Sequence, residues 1–178
     1  MKKTITMLIM IGMFSVHFLR AQTTANQPDT ATLNFIKTAS VAGMKEVKAG
    51  KLAASKSSSS DVKSFANKMV TDHTKANDQL MQLIKSKNWN ITPPTDAETN
   101  PDGMLTGASG AAFDKAYVSM MVQDHQKAVA LFENAANTVQ DADIKAFAKQ
   151  TLPTLQQHLA SIQSIATKMN ISAAPLKP

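Results

Sequence analysis

Apolar residues recur along this chain at intervals of three and four over four stretches of about 27 residues each. In the first, from about residue 30 to 56, Ile36, Ala39, Gly43, Glu46, Gly50 and Ala53 share one helical face. Small residues dominate that row, so a neighbouring helix is expected to approach closely. Leu33, Met44 and Val47 are expected to widen the stripe. A second helix, about 61–87, carries Val62, Phe65, Met69, His73, Ala76, Leu80 and Leu83 on one row. The serine run 57–60 precedes it, with Ser60 the expected N-cap and Asp61 placed at the positive end of the helix dipole. The third helix, about 111–137, turns Phe113, Tyr117, Met121, Ala128, Phe132 and Ala135 inward, together with Asp124 or His125. The fourth, about 143–170, aligns Ile144, Ala148, Thr151, Leu155, His158, Ile162, Ile165 and Met169, and Pro153 is expected to kink it.

The connection from 88 to 110 differs in kind. It contains Pro93, Pro94, Pro101, Gly103, Gly107 and Gly110 and shows no period. So long a link is uncommon between adjacent antiparallel helices, and it suits a connection that travels the full length of a bundle. The expected fold is all-α: a ferritin-like four-helix bundle with one long crossover connection between helices 2 and 3.

Two segments are echoed. Met69-Val70-Thr71-Asp72-His73-Thr74-Lys75-Ala76 returns as Met121-Val122-Gln123-Asp124-His125-Gln126-Lys127-Ala128, and Asp61-Val62-Lys63-Ser64-Phe65-Ala66 returns as Asp143-Ile144-Lys145-Ala146-Phe147-Ala148. Each of the four helices therefore places one ionisable group on its apolar row: Glu46, His73, His125 and His158. Counted from the turns at ~1.5 Å per residue, all four fall near the middle of a ~40 Å bundle. Imidazole and carboxylate from facing helices are how metal sites are built in bundle cores. The candidate metal ligands are thus Glu46, His73, His125 and His158, with Asp72 and Asp124 as groups that orient them or as alternative ligands. The metals such a set suits are zinc, iron, manganese or copper. The competing expectation is a metal-free polar network in which Glu46 bonds to histidines and fixes helix register. Met69 and Met121 each precede a histidine by four, a copper pattern that core filling explains equally well. Glu133, eight residues after His125, is expected near the surface in an ion pair.

The ends and the charge set the context. Residues 1–21 read as a Sec-type signal peptide: Lys2 and Lys3, a largely apolar run from Thr4 to Leu19, then Arg20-Ala21-Gln22. That run is too short to span a bilayer, and no later segment is apolar enough. Residues 22–29 form an expected flexible leader and 171–178 a flexible tail. With no cysteine, lipid attachment through cysteine, disulfides and thiolate metal sites are excluded. The expected location is periplasmic or outer-membrane associated, with peripheral envelope association. Once Lys2, Lys3 and Arg20 leave with the signal, 16 basic residues face 13 acidic ones and no arginine remains. Without arginine, and with one Trp and one Tyr, no nucleic-acid partner is expected. No Ser-His-Asp or phosphate-loop pattern is present, so binding rather than catalysis is expected.

Taken in order, Gly43-x-x-Glu46, Gly50-Lys51-Leu52-Ala53, Val62-Lys63-x-Phe65-Ala66-x-x-Met69-Val70-x-Asp72-His73, Phe113-x-x-x-Tyr117, Met121-Val122-x-Asp124-His125 and Leu152-Pro153-x-Leu155-x-x-His158-Leu159 form a recognisable series. It closely resembles the bacterial "domain of unknown function 4142" family, over about Leu33 to Ala166. The resemblance implies a ferritin-like four-helix fold and a cell-envelope location, and no established activity. Di-iron ferritin-like enzymes carry Glu-x-x-His on two helices. Here Val70, Val122 and Leu155 stand three residues before the histidines, so ferroxidase chemistry is not supported. Two functions remain: an exported envelope bundle binding a metal in its Glu/His layer, or a non-catalytic structural or stress-associated interaction module.

Overall fold

The computed structural model describes residues 27–101 and 103–172. The signal segment and nearly all of the leader and tail expected from the sequence lie outside the described residues. The described chain is all-helical, without strands. Four long helices, α1 (Thr30–Lys56), α2 (Ser60–Ser86), α5 (Gly110–Thr138) and α6 (Ala142–Lys168), are joined by short turns and by a connection holding the short helices α3 (Asp96–Thr99) and α4 (Gly103–Gly107).

Local chemistry sets the ends. Asp29 caps α1 by accepting from the Ala31 and Thr32 amides, and Asp141 caps α6 through the Asp143 and Ile144 amides. The cap of α2 is Ser59, not Ser60. Any serine of the run could serve, and a distant residue decides: Asp114 of α5 accepts from the Ser58 amide at 3.2 Å and the Ser58 hydroxyl at 2.6 Å. That pins the turn one residue earlier. Both α2 and α6 end on an asparagine with φ of 53°, Asn88 and Asn170, and the next amide reaches back to the Ile84 or Ala166 carbonyl. α6 runs unbroken through Pro153.

α1 pairs with α2 and α5 with α6, and contacts of α1 with α5 and α2 with α6 close the bundle. Lys87 at the end of α2 binds Asp141 and Asp143 at the start of α6, whereas Ser58 meets Asp114 at the start of α5. The connection from α2 to α5 therefore runs the length of the molecule. It is not without structure, as the lack of period suggested. Thr95 and Glu98 form a reciprocal capping box that nucleates α3. Lys48 of α1 donates to Asp96 and Thr99, and Lys56 to the Thr106 carbonyl, which straps the link along α1.

The core comes in two apolar clusters. One holds Phe65, Met69, Phe113, Tyr117, Met121 and Ile162; the other holds Phe35, Ile36, Leu80, Phe132, Phe147 and Leu155. The small-residue row of α1 is buried as its period implies. Leu33, Met44 and Val47 do not widen it, being only half-buried; Thr32, Phe35 and Ala49 do so on the other side. On that side Phe35 meets Phe132 of α5, their ring centroids 5.0 Å apart, while Met44 and Val47 border an open groove.

Candidate metal centre

Between the two apolar clusters each long helix contributes one polar side chain. Glu46 follows Ala39 and precedes Ala49; His73 stands between Met69 and Leu80; His125 lies between Val122 and Ala128; His158 lies between Leu155 and Ile162. All four are buried, with exposures of 3%, 5%, 0% and 1%. Of the two residues the α5 pattern left open, His125 faces the core and Asp124 lies at the bundle edge, its Oδ1 3.8 Å from Lys127 Nζ.

The three imidazoles converge. Their ring centroids are 5.4–5.6 Å apart, and one ligand atom from each of His73, His125 and His158 lies within 4.8 Å of the others. Phe65 closes one side, its ring 6.1 Å from His125 and 6.4 Å from His158. Glu46 is not in that three-residue group. Its Oε2 sits 2.9 Å from His73 Nδ1, behind the ring, and its Oε1 is 3.6 Å from His125 Nδ1. The side-chain rotamer decides this, and a row position does not reveal it.

Each ring has one nitrogen tied down. His73 Nδ1 donates to Glu46, His125 Nδ1 donates to the Met121 carbonyl at 3.0 Å, and His158 Nε2 donates to Asp72 Oδ2 at 2.8 Å. A backbone carbonyl only accepts, so His125 carries its proton on Nδ1. An ionised Asp72 fixes the proton of His158 on Nε2 in the same way. Asp72 is itself steadied by Lys68 at 2.8 Å. The opposite nitrogens, His73 Nε2, His125 Nε2 and His158 Nδ1, are buried with no hydrogen-bond partner, and so is Glu46 Oε1.

The electrostatics fit this frame. Burial pushes His158 down to about 4, against the upward pull of Asp72. Burial also holds His125 below its ordinary value despite Glu46. Both rings are therefore neutral at pH 7, the form in which imidazole binds metal. For Glu46, burial acts upward but is outweighed by His73 and His125, so the carboxyl stays low and ionised. For His73, burial acts downward but is outweighed by Glu46, so the ring is held above its usual range. Tyr117, buried against the layer, is raised by burial and by Glu46, and its hydroxyl has no partner. Tyr117 and Phe65 were visible only as members of apolar rows; nothing in a row says that two of its rings will wall a polar layer. Glu133 is exposed and forms no ion pair among the described residues; α6 presents Gln156 to it, at 3.4 Å.

An all-helical bundle with a buried three-histidine layer is the class that fold and site define. The profile of the family "Domain of unknown function (DUF4142)" matches residues 18–165, and the chain belongs to that family. Among solved structures it is similar to a DUF305 fragment from Deinococcus radiodurans, with TM-score 0.69, 12% identity, 80% of this chain and 99% of that one covered. A DUF305 protein of Streptomyces coelicolor, provisionally described as secreted, gives TM-score 0.69 and 12% identity over 82% and 97% of the two chains. A protein provisionally described as a spore coat protein, from Bacillus halodurans C-125, gives 0.64 and 15% over 85% and 96%. These identities speak to fold alone. No functionally curated protein matches the chain. Among the described residues no helix is long and apolar enough to cross a membrane.

Proposed function

We propose that this protein binds one transition-metal ion on His73 Nε2, His125 Nε2 and His158 Nδ1, and that it does so as an exported cell-envelope protein. One observation carries the reading. Three buried rings each bring one nitrogen within 4.8 Å of the others, and each ring has one nitrogen committed, to Glu46, the Met121 carbonyl or Asp72, and one without a hydrogen-bond partner. Metal-bound histidine characteristically donates its other N–H to a carboxylate or backbone carbonyl, which fixes tautomer and orientation. Leaving three polar atoms of one layer unpaired in a core costs about 1–3 kcal/mol each, and a shared cation removes that cost at once.

The donor set favours zinc, copper or iron over manganese, since imidazole suits the former and manganese prefers oxygen ligands. Glu46 and Asp72 then act through the rings they hold, and their charges balance the cation. Handling or holding metal is the role we assign. The signal-like segment 1–21 supports export to the periplasm or outer-membrane surface. The alternative is a metal-free network that fixes register, for which the Glu46–His73 pair is the specific observation. Calorimetric titration of metal-free protein with zinc and with copper(II) separates the two. The metal reading predicts one ion per chain in wild type and none in His125→Ala. Equal behaviour of the two proteins, with no saturable binding, would leave the layer as a structural network.

A further inference from the structure

The histidine layer is sealed by its neighbours, so an ion bound there must pass through the packed seam between two helices. Two cavities mark where. The outer is an open groove of about 630 Å³ bounded by α1, α2 and the crossover, with Met44, Val47, Met81 and Ile91 among its walls. The inner is a space of about 30 Å³ bordered by Gly43, Glu46, His73 and Asn77, with room for a single water-sized species or two. Asn77 of α2 borders both. Its amide rests directly on Gly43 of α1, where a Cβ would overlap the amide oxygen. The missing side chain at 43 is what lets Asn77 lie in the seam, with the groove outside and the Glu46–His73 pair inside. Glu46 Oε1, buried and without a hydrogen-bond partner, belongs to a residue that lines the inner space.

We infer that Asn77, seated on Gly43, is the gate through which a divalent cation passes from the groove to the histidine layer. The inference rests on the metal-binding reading above. A neutral amide suits the position: its oxygen offers a hard donor to a cation shedding water, and side-chain rotation needs no helix movement. Beyond it, Glu46 Oε1 receives the ion before the imidazoles do. Asp72, partly exposed and bonded to both Lys68 and His158 Nε2, marks a competing approach, which Lys68→Ala tests.

The test is stopped-flow mixing of metal-free full-length protein with Co²⁺, read by visible absorption, for wild type, Asn77→Ala, Asn77→Leu and Lys68→Ala. Asn77→Ala should speed uptake and release alike by about tenfold, and Asn77→Leu should slow both by about as much, as expected of a gate. Equilibrium occupancy and melting temperature should hold in both, which a merely structural asparagine would not combine with altered rates. Unchanged rates in both Asn77 variants, or acceleration in Lys68→Ala alone, would overturn the gate while leaving the metal site intact. Failure of wild type to take up Co²⁺ under any condition would overturn the metal reading and the gate with it.

Discussion

Every imidazole of the layer has one nitrogen held and one left over, and these two halves answer differently to substitution. In the proposed metal site, removing a ring removes a ligand: His125→Ala should abolish metal binding. Removing the group behind a ring only loosens it. Glu46→Gln and Asp72→Asn should each weaken metal affinity by about 10–100-fold without abolishing it, the usual effect of losing a ligand's supporting partner. Complete loss in Glu46→Gln, measured by competition with a chromogenic chelator, would instead make Glu46 a ligand. Because Glu46 holds His73 above its ordinary value, metal binding should release protons, in a number per ion that grows as the pH is lowered from about 8 to about 6. Calorimetry in buffers of different ionisation enthalpy reads that number, and zero protons would contradict the assignment.

At the scale of elements, the seams between helices explain which parts of the sequence were readable. Ile36, Ala39, Phe65, Met69, Phe132 and Ile162 are buried where their period of three and four places them, because burial of one face is all that periodicity encodes. The all-helical fold and the long link followed from that period and from its absence between 88 and 110. What was not legible depends on partners far away in sequence. Ser59 rather than Ser60 caps α2 because Asp114 fixes Ser58, and the orientation of Glu46 depends on a facing ring. Asp114 also gives a stability prediction. Burial pushes its carboxyl upward, but bonds from Ser57, Ser58 and Ser59 outweigh this and hold it below the ordinary 3.8. A carboxyl lowered on folding adds stability that is present above its unfolded value and is lost as pH falls through the folded one. Asp114→Asn should therefore cost about 1.5–3 kcal/mol at pH 7, and the gap from wild type should close as pH drops below about 4. Chemical denaturation at pH 7 and pH 3 measures both; a gap that widens in acid would refute the role. Gly50 adds a packing test. A Cβ there would stand 3.0 Å from both the Ala66 carbonyl and Val70 Cγ2, so Gly50→Val should cost about 1–3 kcal/mol by forcing α1 and α2 apart.

For the molecule as a whole, one polar layer divides an otherwise apolar core, and everything proposed of its function follows from what fills the space between three ring nitrogens. A ligand that binds only the folded state raises stability by mass action, so a chelator should lower the melting temperature of wild type and leave His73→Ala/His158→Ala unmoved. The metal content of the purified protein tests the central claim most directly. Elemental analysis of protein purified from its own cells without a histidine tag, alongside His73→Ala/His158→Ala, should find about one transition-metal ion per chain in wild type and none in the variant. Wild type that carries no metal, even after reloading with zinc, iron, manganese and copper, would contradict the account and leave the layer a device for holding four helices in register.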